Sequence, residues 1–196
     1  MKINLLSASI LTLLSILLAQ CQAHTPGMPE PQKHSAPAAE TPEKRGEYLV
    51  SILGCDDCHT PKNMTPTGPV PDLSRRLMGY SASELFVADA SIKTLIEAQH
   101  VAVFNPGTTA TAGPWGTSYA ANITPDDTGI GAWTEAQFVK AMREGKSKGL
   151  DGARPILPPM PVAAFGKMTD EDLKAIFAYL KTLKPIRNVV PQPQLL

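Results

Sequence analysis

The sequence predicts an all-α domain of three to five helices connected by long loops rich in proline and glycine. Three segments carry the capping and periodic signals of amphipathic helices, and only one short run is typical of a strand. The chain also contains 19 prolines and 14 glycines, which favour long irregular connections. With 196 residues, 43% of them hydrophobic, it can build one core of modest size.

The first 21 residues have the composition of a segment that directs export. Lys2 precedes an apolar stretch without charge, which is typical of a secretory signal. Cys21 follows in LLAQCQA, which resembles the lipobox of bacterial lipoproteins, where the cysteine becomes the acylated first residue. We therefore expect an exported protein, in the periplasm or anchored to a membrane through Cys21. Cleavage after Ala23 and retention of the segment as a membrane helix are the alternatives.

Residues 22–42 are predicted to form a flexible tether, because they are rich in proline, alanine and polar residues. The domain is expected over residues 43–187, and residues 188–196 are interpreted as a C-terminal tail. Eighteen acidic and eighteen basic residues cancel, and no long basic run occurs in the sequence. We therefore expect no nucleic-acid partner.

The first predicted helix lies in TPEKRGEYLVSILG and leads directly into two cysteines. Thr41 is a capping residue, and proline occupies the first helical position. Tyr48, Leu49 and Ile52 share one face of this helix. Gly46 costs it about 1 kcal/mol relative to alanine, so its presence indicates that another element approaches closely.

Two later helices are predicted from the same kind of start. In WTEAQFVKAMREG, Thr134 and Gln137 form a capping box, and Gly145 ends the helix. In MTDEDLKAIFAYLKTLKP, Thr169 is the cap, and the apolar stripe ends before Pro185.

Residues 61–121 are predicted to be mostly an ordered loop region, because they are dense in proline, glycine, threonine and serine. HVAVF is a candidate short strand, and SASELF is a candidate helical turn. A structureless loop of this length is unusual in a compact domain, so we expect it to pack against a large surface.

Cys55, Cys58 and His59 in LGCDDCHTPK match CxxCH, the attachment motif of c-type haem. One helical turn carries the two thiols to two vinyl groups, while the adjacent histidine lies beneath the iron. A thiol redox pair and a zinc site are the alternatives, but the sequence offers neither a βαβ setting nor a second ligand pair. We predict one covalent haem c. Asp56 and Asp57 fill the variable positions and are interpreted as solvated side chains.

Met160 is the predicted second axial ligand of the iron. It lies in ARPILPPMPVAAFG between prolines that prevent a helix, and such a stiff loop can hold a thioether at little entropic cost. Met78 and His100 are the other candidates, and a methionine that only packs in a buried loop is the alternative reading of Met160. The occupant of this position decides between electron transfer and ligand chemistry.

Together these motifs resemble those of class I c-type cytochromes, and more narrowly the single-haem cytochrome subunits of bacterial dehydrogenases and respiratory chains. The resembling segments are RGEYLVSILGCDDCHTPK, AANITPDDTGIGAWTEAQF, RPILPPMP and MTDEDLKAIFAYLKTLKPI. The resemblance implies the cytochrome c fold, with the haem at the centre of the helices. It also implies that the helix containing Gly46 crosses the terminal helix near Phe177 and Tyr179.

The resemblance implies one-electron transfer rather than catalysis, with a dehydrogenase, an oxidase or another cytochrome as redox partner. A histidine and methionine pair keeps iron six-coordinate in both oxidation states, so little rearranges when an electron arrives or leaves. Arg154 and Trp115 are candidate donors to the haem propionates, and a surface arginine and a packed tryptophan are the alternatives. The competing function is a haem enzyme or ligand sensor with an open sixth coordination position.

Overall fold

The computed structural model describes residues 40–195, apart from residues 85 and 87. Its helices are α1 (Pro42–Ile52), α2 (Cys55–His59), α3 (Ala90–Gln99), α4 (Glu135–Glu144), α5 (Val162–Phe165) and α6 (Asp170–Thr182). Its strands are β1 (Lys62–Thr65), β2 (Gly68–Pro71), β3 (Val103–Phe104), β4 (Ala110–Gly113) and β5 (Gly116–Tyr119). Short 3-10 turns lie at Leu73–Arg75 and Ser147–Gly149.

The predicted export segment with Cys21 and most of the predicted tether lie outside the described residues. Among the helices that the structure does describe, none has the length and apolar character needed to cross a bilayer.

The three helices predicted from capping signals are present as α1, α4 and α6. The Thr41 hydroxyl accepts a hydrogen bond from the backbone N–H of Lys44, which caps α1. At the start of α4, Thr134 and Gln137 exchange hydrogen bonds in the predicted capping box. The Thr169 hydroxyl caps α6 in the same way. These starts are local, so the sequence alone was sufficient to predict them.

Helix α1 crosses α6 at Gly46. A Cβ atom built on Gly46 would lie 2.6 Å from the carbonyl carbon of Ala175 and 2.6 Å from Cβ of Tyr179. Only glycine therefore lets the two backbones approach this closely. Helix α4 adds Phe138 to the junction, where its ring packs against Phe177 with 5.3 Å between centroids. The buried cluster around this junction also includes Leu49, Val50, Leu77, Ile130, Ile176 and Leu180.

The all-α prediction needs correction between residues 61 and 121, where the chain forms two small antiparallel sheets. β1 and β2 make a hairpin in which Thr65 pairs with Gly68 across a two-residue turn. β4 and β5 make another, in which Gly113 pairs with Gly116. Glycines at the turns, with φ of +119° at Gly68 and +98° at Gly116, allow these tight reversals. The glycines that suggested a long loop therefore lie at the turns of two hairpins.

The remainder of this region contains the predicted strand and an unpredicted helix. Val103 and Phe104, at the end of HVAVF, form β3 and pair with β4. Helix α3 is capped by Asp89, whose carboxylate accepts from the N–H of Ile92. Ile96 is its only buried residue, so the helix lacks the broad apolar face by which sequence periodicity would indicate it.

The chain after α6 packs onto the domain. Ile186 donates its N–H to the hydroxyl of Thr124 at 3.2 Å, and Asn188 donates from its side chain to the carbonyls of Met78 and Tyr80. Further on, Gln194 forms a β-bridge with Thr117 of β5. The segment interpreted as a tail is thus held along much of its length by hydrogen bonds.

Candidate functional site

Both cysteines of the CxxCH motif lie on α2, which is a single turn of helix. Gly54, in the left-handed conformation with φ of +69°, breaks the chain direction between α1 and α2. Cys55 and Cys58 are three residues apart, so their side chains share one face of that turn. Both thiols are free and half-buried, and Cys55 packs against the apolar cluster at the α1–α6 junction. The predicted pair is therefore held side by side at the edge of the core.

The electrostatic surroundings favour the protonated form of both thiols. Burial raises the pKa of the Cys55 thiol to about 11, and the carboxylate of Asp56 acts in the same direction. Burial also raises the pKa of Cys58. A redox-active cysteine pair requires a thiol whose pKa is lowered by its surroundings, so the arrangement argues against the thiol redox alternative.

His59 is buried, with 8% of its surface exposed, and its Nδ1 lies 2.7 Å from the carbonyl oxygen of Ala121. A carbonyl only accepts hydrogen bonds, so Nδ1 carries the proton and Nε2 carries the lone pair in the neutral ring. Burial lowers the pKa of His59, while the hydrogen bond to Ala121 opposes this shift. The ring is thus presented as a neutral ligand with its orientation fixed.

Lys62 caps the C-terminal end of α2. Its ammonium group donates to the backbone carbonyls of Asp56 at 3.1 Å, Asp57 at 3.0 Å and Thr60. Carbonyls at the end of a helix lack partners within the helix and carry partial negative charge, so a lysine satisfies both needs. The short helix that carries the motif is thereby stabilised at the end where His59 lies.

Asp56 is not the solvated side chain that the sequence indicated. Its two carboxylate oxygens accept from the guanidinium of Arg76 at 2.9 and 2.7 Å, and one oxygen also accepts from the Thr60 hydroxyl. Arg76 donates in addition to the Tyr179 hydroxyl at 2.6 Å, which joins α2 to α6. Burial alone would raise the pKa of Asp56, but the hydrogen bonds from Arg76 and Thr60 outweigh it, and the pKa is lowered. No local sequence motif predicts this ion pair, because Arg76 is 20 residues away from Asp56 in the sequence.

Met160 lies in a loop that is fixed on both sides. Before it, the N–H of Ile156 donates to the carbonyl of Gly145 at 2.6 Å, and the carbonyl of Pro158 accepts from the Ser118 hydroxyl at 2.6 Å. After it, the Met160 carbonyl accepts from the N–H of Val162, at the start of α5. Met160 itself is half-buried.

Trp115 and Arg154 occupy different settings near that loop. The indole N–H of Trp115 donates to the Ser118 hydroxyl at 3.3 Å, so Trp115 supports the same serine that holds Pro158. Arg154 is exposed and donates to the carbonyl of Pro155 at 2.9 Å. Trp115 therefore already has a hydrogen-bond partner within the protein, whereas the side chain of Arg154 is accessible to solvent.

The two other candidates for the second axial ligand lie in less suitable places. Met78 is buried at 7% exposure, but the next residue, Gly79, donates its N–H to the carbonyl of His59 at 2.8 Å. The hydrogen bond of Gly79 therefore holds the backbone next to Met78 against the backbone of His59. His100 is exposed at the C-terminal end of α3, in the left-handed conformation.

The residues present fit a covalently attached haem c. Two protonated, half-buried thiols on one helical turn are followed by a neutral imidazole whose second nitrogen has no hydrogen-bond partner among the described residues. Across residues 40–84, 86 and 88–195, no group of three or more histidine, cysteine and acidic side chains could hold a metal ion. The CxxCH motif itself supplies three of the four ligands that a structural zinc site needs.

Comparison with known proteins agrees with this donor set. Residues 43–184 match the family model described as cytochrome c. The fructose dehydrogenase cytochrome subunit of Gluconobacter japonicus is 31% identical over 97% of this chain. The cytochrome c subunit of the quinone alcohol dehydrogenase of Gluconobacter oxydans is 30% identical over 78% of the chain. A nicotinate dehydrogenase subunit of Pseudomonas putida is 45% identical over 46% of it.

These relatives are all much longer than the matched region. The alignments cover 30% of the Gluconobacter japonicus protein, 24% of the Gluconobacter oxydans protein and 8% of the Pseudomonas putida protein. The chain therefore corresponds to one part of each relative.

Proposed function

The chain belongs to the cytochrome c family, and on that premise we propose that it transfers single electrons, with His59 and Met160 as the axial ligands of its iron. The cofactor is one covalently bound haem c, in agreement with the single CxxCH motif. We assign the haem domain to residues 43–187 and the attachment to Cys55 and Cys58. When bound, the haem supplies an iron that gains and loses one electron.

The observation that carries this proposal is the arrangement on α2. Cys55 and Cys58 point from one face of a single turn, and His59 follows with Nδ1 engaged by the carbonyl of Ala121. The thiols would fix the porphyrin edge, and the imidazole would offer Nε2 to the metal. The hydrogen bond at Nδ1 sets the tautomer and the ring plane in advance, so little motion is required of this ligand when the charge on the iron changes.

Met160 is the better supported of the candidate second ligands. The hydrogen bonds of Ile156, Pro158 and Val162 hold its loop on both sides, which lowers the entropic cost of keeping the thioether in place. A thioether is an uncharged, soft ligand that favours the reduced form and raises the reduction potential. A ligand pair that stays bound in both states suits an electron carrier, so we propose that the protein is not itself an enzyme.

Arg154 and Trp115 remain proposed as contacts of the haem propionates. Arg154 keeps further N–H groups besides the one given to Pro155, and its exposed position allows the side chain to turn. The indole of Trp115 is already bonded to Ser118, so Arg154 is the better supported of the two.

A dehydrogenase is the proposed electron donor. The relatives named above include cytochrome subunits of fructose dehydrogenase and of quinone alcohol dehydrogenase. An oxidase or another cytochrome would then accept the electron. We propose that the protein works in the cell envelope, exported by residues 1–21 and attached to a membrane through Cys21 or the N-terminal segment. Intact-mass measurement of the membrane fraction should show a diacylglycerol group on Cys21, and a mature chain that starts at His24 would refute the anchor.

Replacement of Met160 by alanine tests the axial ligation. The visible spectrum of the oxidised variant should lose the absorption band of the methionine–iron bond, and the reduced variant should bind carbon monoxide readily. Met64→Ala is the matched control, because Met64 is 62% exposed on β1 and should not change either property. Retention of the band in Met160→Ala would refute the assignment. Ready binding of carbon monoxide by the unaltered protein would instead favour the enzyme or sensor function.

A further inference from the structure

The segment after α6 makes an unusually complete set of polar contacts around Asn188. The side-chain amide of Asn188 donates to the carbonyl of Met78 at 2.7 Å and to the carbonyl of Tyr80 at 2.9 Å. Its backbone N–H donates to the Thr128 hydroxyl at 2.9 Å. One side chain thus bridges the two carbonyls on either side of Gly79, using both of its N–H donors.

Gly79 is the point at which this turn touches the predicted axial histidine. Its N–H donates to the carbonyl of His59 at 2.8 Å, and the N–H of Tyr80 donates to the carbonyl of Ala120 at 2.9 Å. With φ of +78°, Gly79 adopts the left-handed conformation, and a Cβ atom there would lie 2.5 Å from the carbonyl carbon of Ala121. The turn at Gly79 is therefore in direct contact with the peptide that accepts from the His59 ring.

The same segment also binds the other side of that peptide. Asn122, which is 4% exposed, donates from its side chain to the carbonyl of Ile186 at 2.8 Å. Its side-chain oxygen accepts from Thr124, so the amide is fixed in orientation. Residues 186–188 thereby hold both neighbours of the hydrogen bond between His59 and Ala121: Asn122 on one side and the Gly79 turn on the other.

We propose that Asn188 is a positioning residue of the haem site, which fixes the Gly79 turn against the Ala121 carbonyl and so maintains the hydrogen bond to Nδ1 of His59. The inference rests on the proposed ligation of iron by His59. It assigns a role to residues beyond the terminal helix, which lie outside the CxxCH motif and the methionine loop.

The expected consequence is electronic as well as structural. A carbonyl that accepts from Nδ1 makes the imidazole a stronger donor through Nε2, which stabilises the oxidised iron. If the Ala121 carbonyl moves away, donation weakens and the reduction potential rises. In Asn188→Leu, which has nearly the same shape but no donor, the carbonyls of Met78 and Tyr80 lose their amide partner. The ratio of reduced to oxidised protein at a fixed potential should then rise by up to about tenfold, equivalent to about 59 mV for one electron.

The experiment compares four variants of the haem-loaded protein. Asn188→Leu is the test, and Asn188→Gln, which keeps the amide on a longer side chain, should recover part of the shift. Asn63→Leu is the matched control, because Asn63 is exposed on β1. A chain ending at Pro191 loses the bridge between Gln194 and Thr117 but keeps Asn188, so its potential should be unchanged. If Asn188→Leu does not accumulate with haem, Asn188→Ser provides the same comparison with a single hydroxyl donor.

Two measurements separate the outcomes. Midpoint potentials report the donor strength of His59, and nitrogen NMR of protein labelled in its four histidines reports its Nδ1–H directly. The inference is supported if Asn188→Leu alters both and the two controls alter neither. It is overturned if Asn188→Leu matches the unaltered protein, or if the shortened chain shows the same shift. If no histidine of the oxidised, unaltered protein shows the paramagnetic shift of an iron ligand, the proposed ligation itself fails, and the inference fails with it.

Discussion

Replacement of Gly46 by alanine tests the helix crossing on which the haem domain is built. In an exposed helix this change is stabilising by about 1 kcal/mol, because alanine has the higher helix propensity. At Gly46 the added Cβ atom would lie 2.6 Å from Cβ of Tyr179, whereas ordinary contacts begin at 3.4 Å. Helices α1 and α6 would have to separate by about 1 Å. Because the added atom would also meet the backbone of Ala175, we expect a cost near the upper end of the usual ~1–3 kcal/mol for overpacking, about 3 kcal/mol.

The net expectation is a loss of about 2 kcal/mol or more in the free energy of unfolding, or a fall of about 4–8 °C in Tm for a domain of this size. Urea unfolding followed by far-ultraviolet circular dichroism measures it, and Soret absorption shows whether the haem site loosens together with the helices. Ser51→Ala is the control, because Ser51 is exposed on the same helix and its replacement should be neutral or slightly stabilising. A Gly46→Ala variant as stable as the unaltered protein would refute the close approach of α1 and α6.

Two further predictions concern carboxylates that accept hydrogen bonds from arginine, Asp56 from Arg76 and Asp72 from Arg75. Arg76→Met should lower the free energy of unfolding by about 1–3 kcal/mol, because the Asp56 and Arg76 side chains are only 25% and 28% exposed and Asp56 would lose two hydrogen bonds. Lys140→Met is the control: its partner Asp151 is 82% exposed, so the variant should lose less than about 0.5 kcal/mol. Equal losses in the two variants would contradict the role of burial. The second prediction is that the protein loses stability in acid. The pKa values of Asp56 and Asp72 are both lowered in the folded protein, that of Asp72 to about 2 by hydrogen bonds from Ser74 and Arg75. Their contribution to the free energy of unfolding is therefore present above the ordinary pKa of 3.8 and is lost as pH falls toward 2. Unfolding curves between pH 5 and pH 2 should show this decline, with a shallower slope in Arg76→Met, and stability that rises on acidification would be inconsistent with it.

The parts of the fold that the sequence predicted are those encoded by neighbouring residues. The caps at Thr41, Thr134 and Thr169 each involve a partner three residues later, so the signal and the structure occupy the same short segment. The CxxCH motif is equally local, because Cys55, Cys58 and His59 fall on one turn of helix. Gly46 was informative for the opposite reason: its low helix propensity made sense only if another backbone came close.

The hairpin β1–β2 was not predicted from the sequence because β2 contains two prolines. Pro69 and Pro71 lie in β2, and proline within a run normally argues against a strand. Because Pro69 and Pro71 are two residues apart, the positions of their missing N–H groups lie on the same edge of the strand. A strand accepts proline where that edge points away from the partner strand. The alternation of prolines is a signal that sequence reading can use, whereas their number alone suggested a loop.

The support of the site could not be predicted, because each of its contacts joins segments that the sequence leaves unrelated. The carbonyl of Ala121 is 62 residues from His59, and Asn188 is 110 residues from Met78. Both contacts involve main-chain carbonyls, which every residue possesses, so no residue type marks the accepting position. Asp56 illustrates the same limit, since a carboxylate in a variable position of the motif reads as solvated until Arg76 is known to lie beside it. A motif therefore reveals which side chains can hold the haem, while the hydrogen bonds that orient them follow only from the path of the chain between motifs.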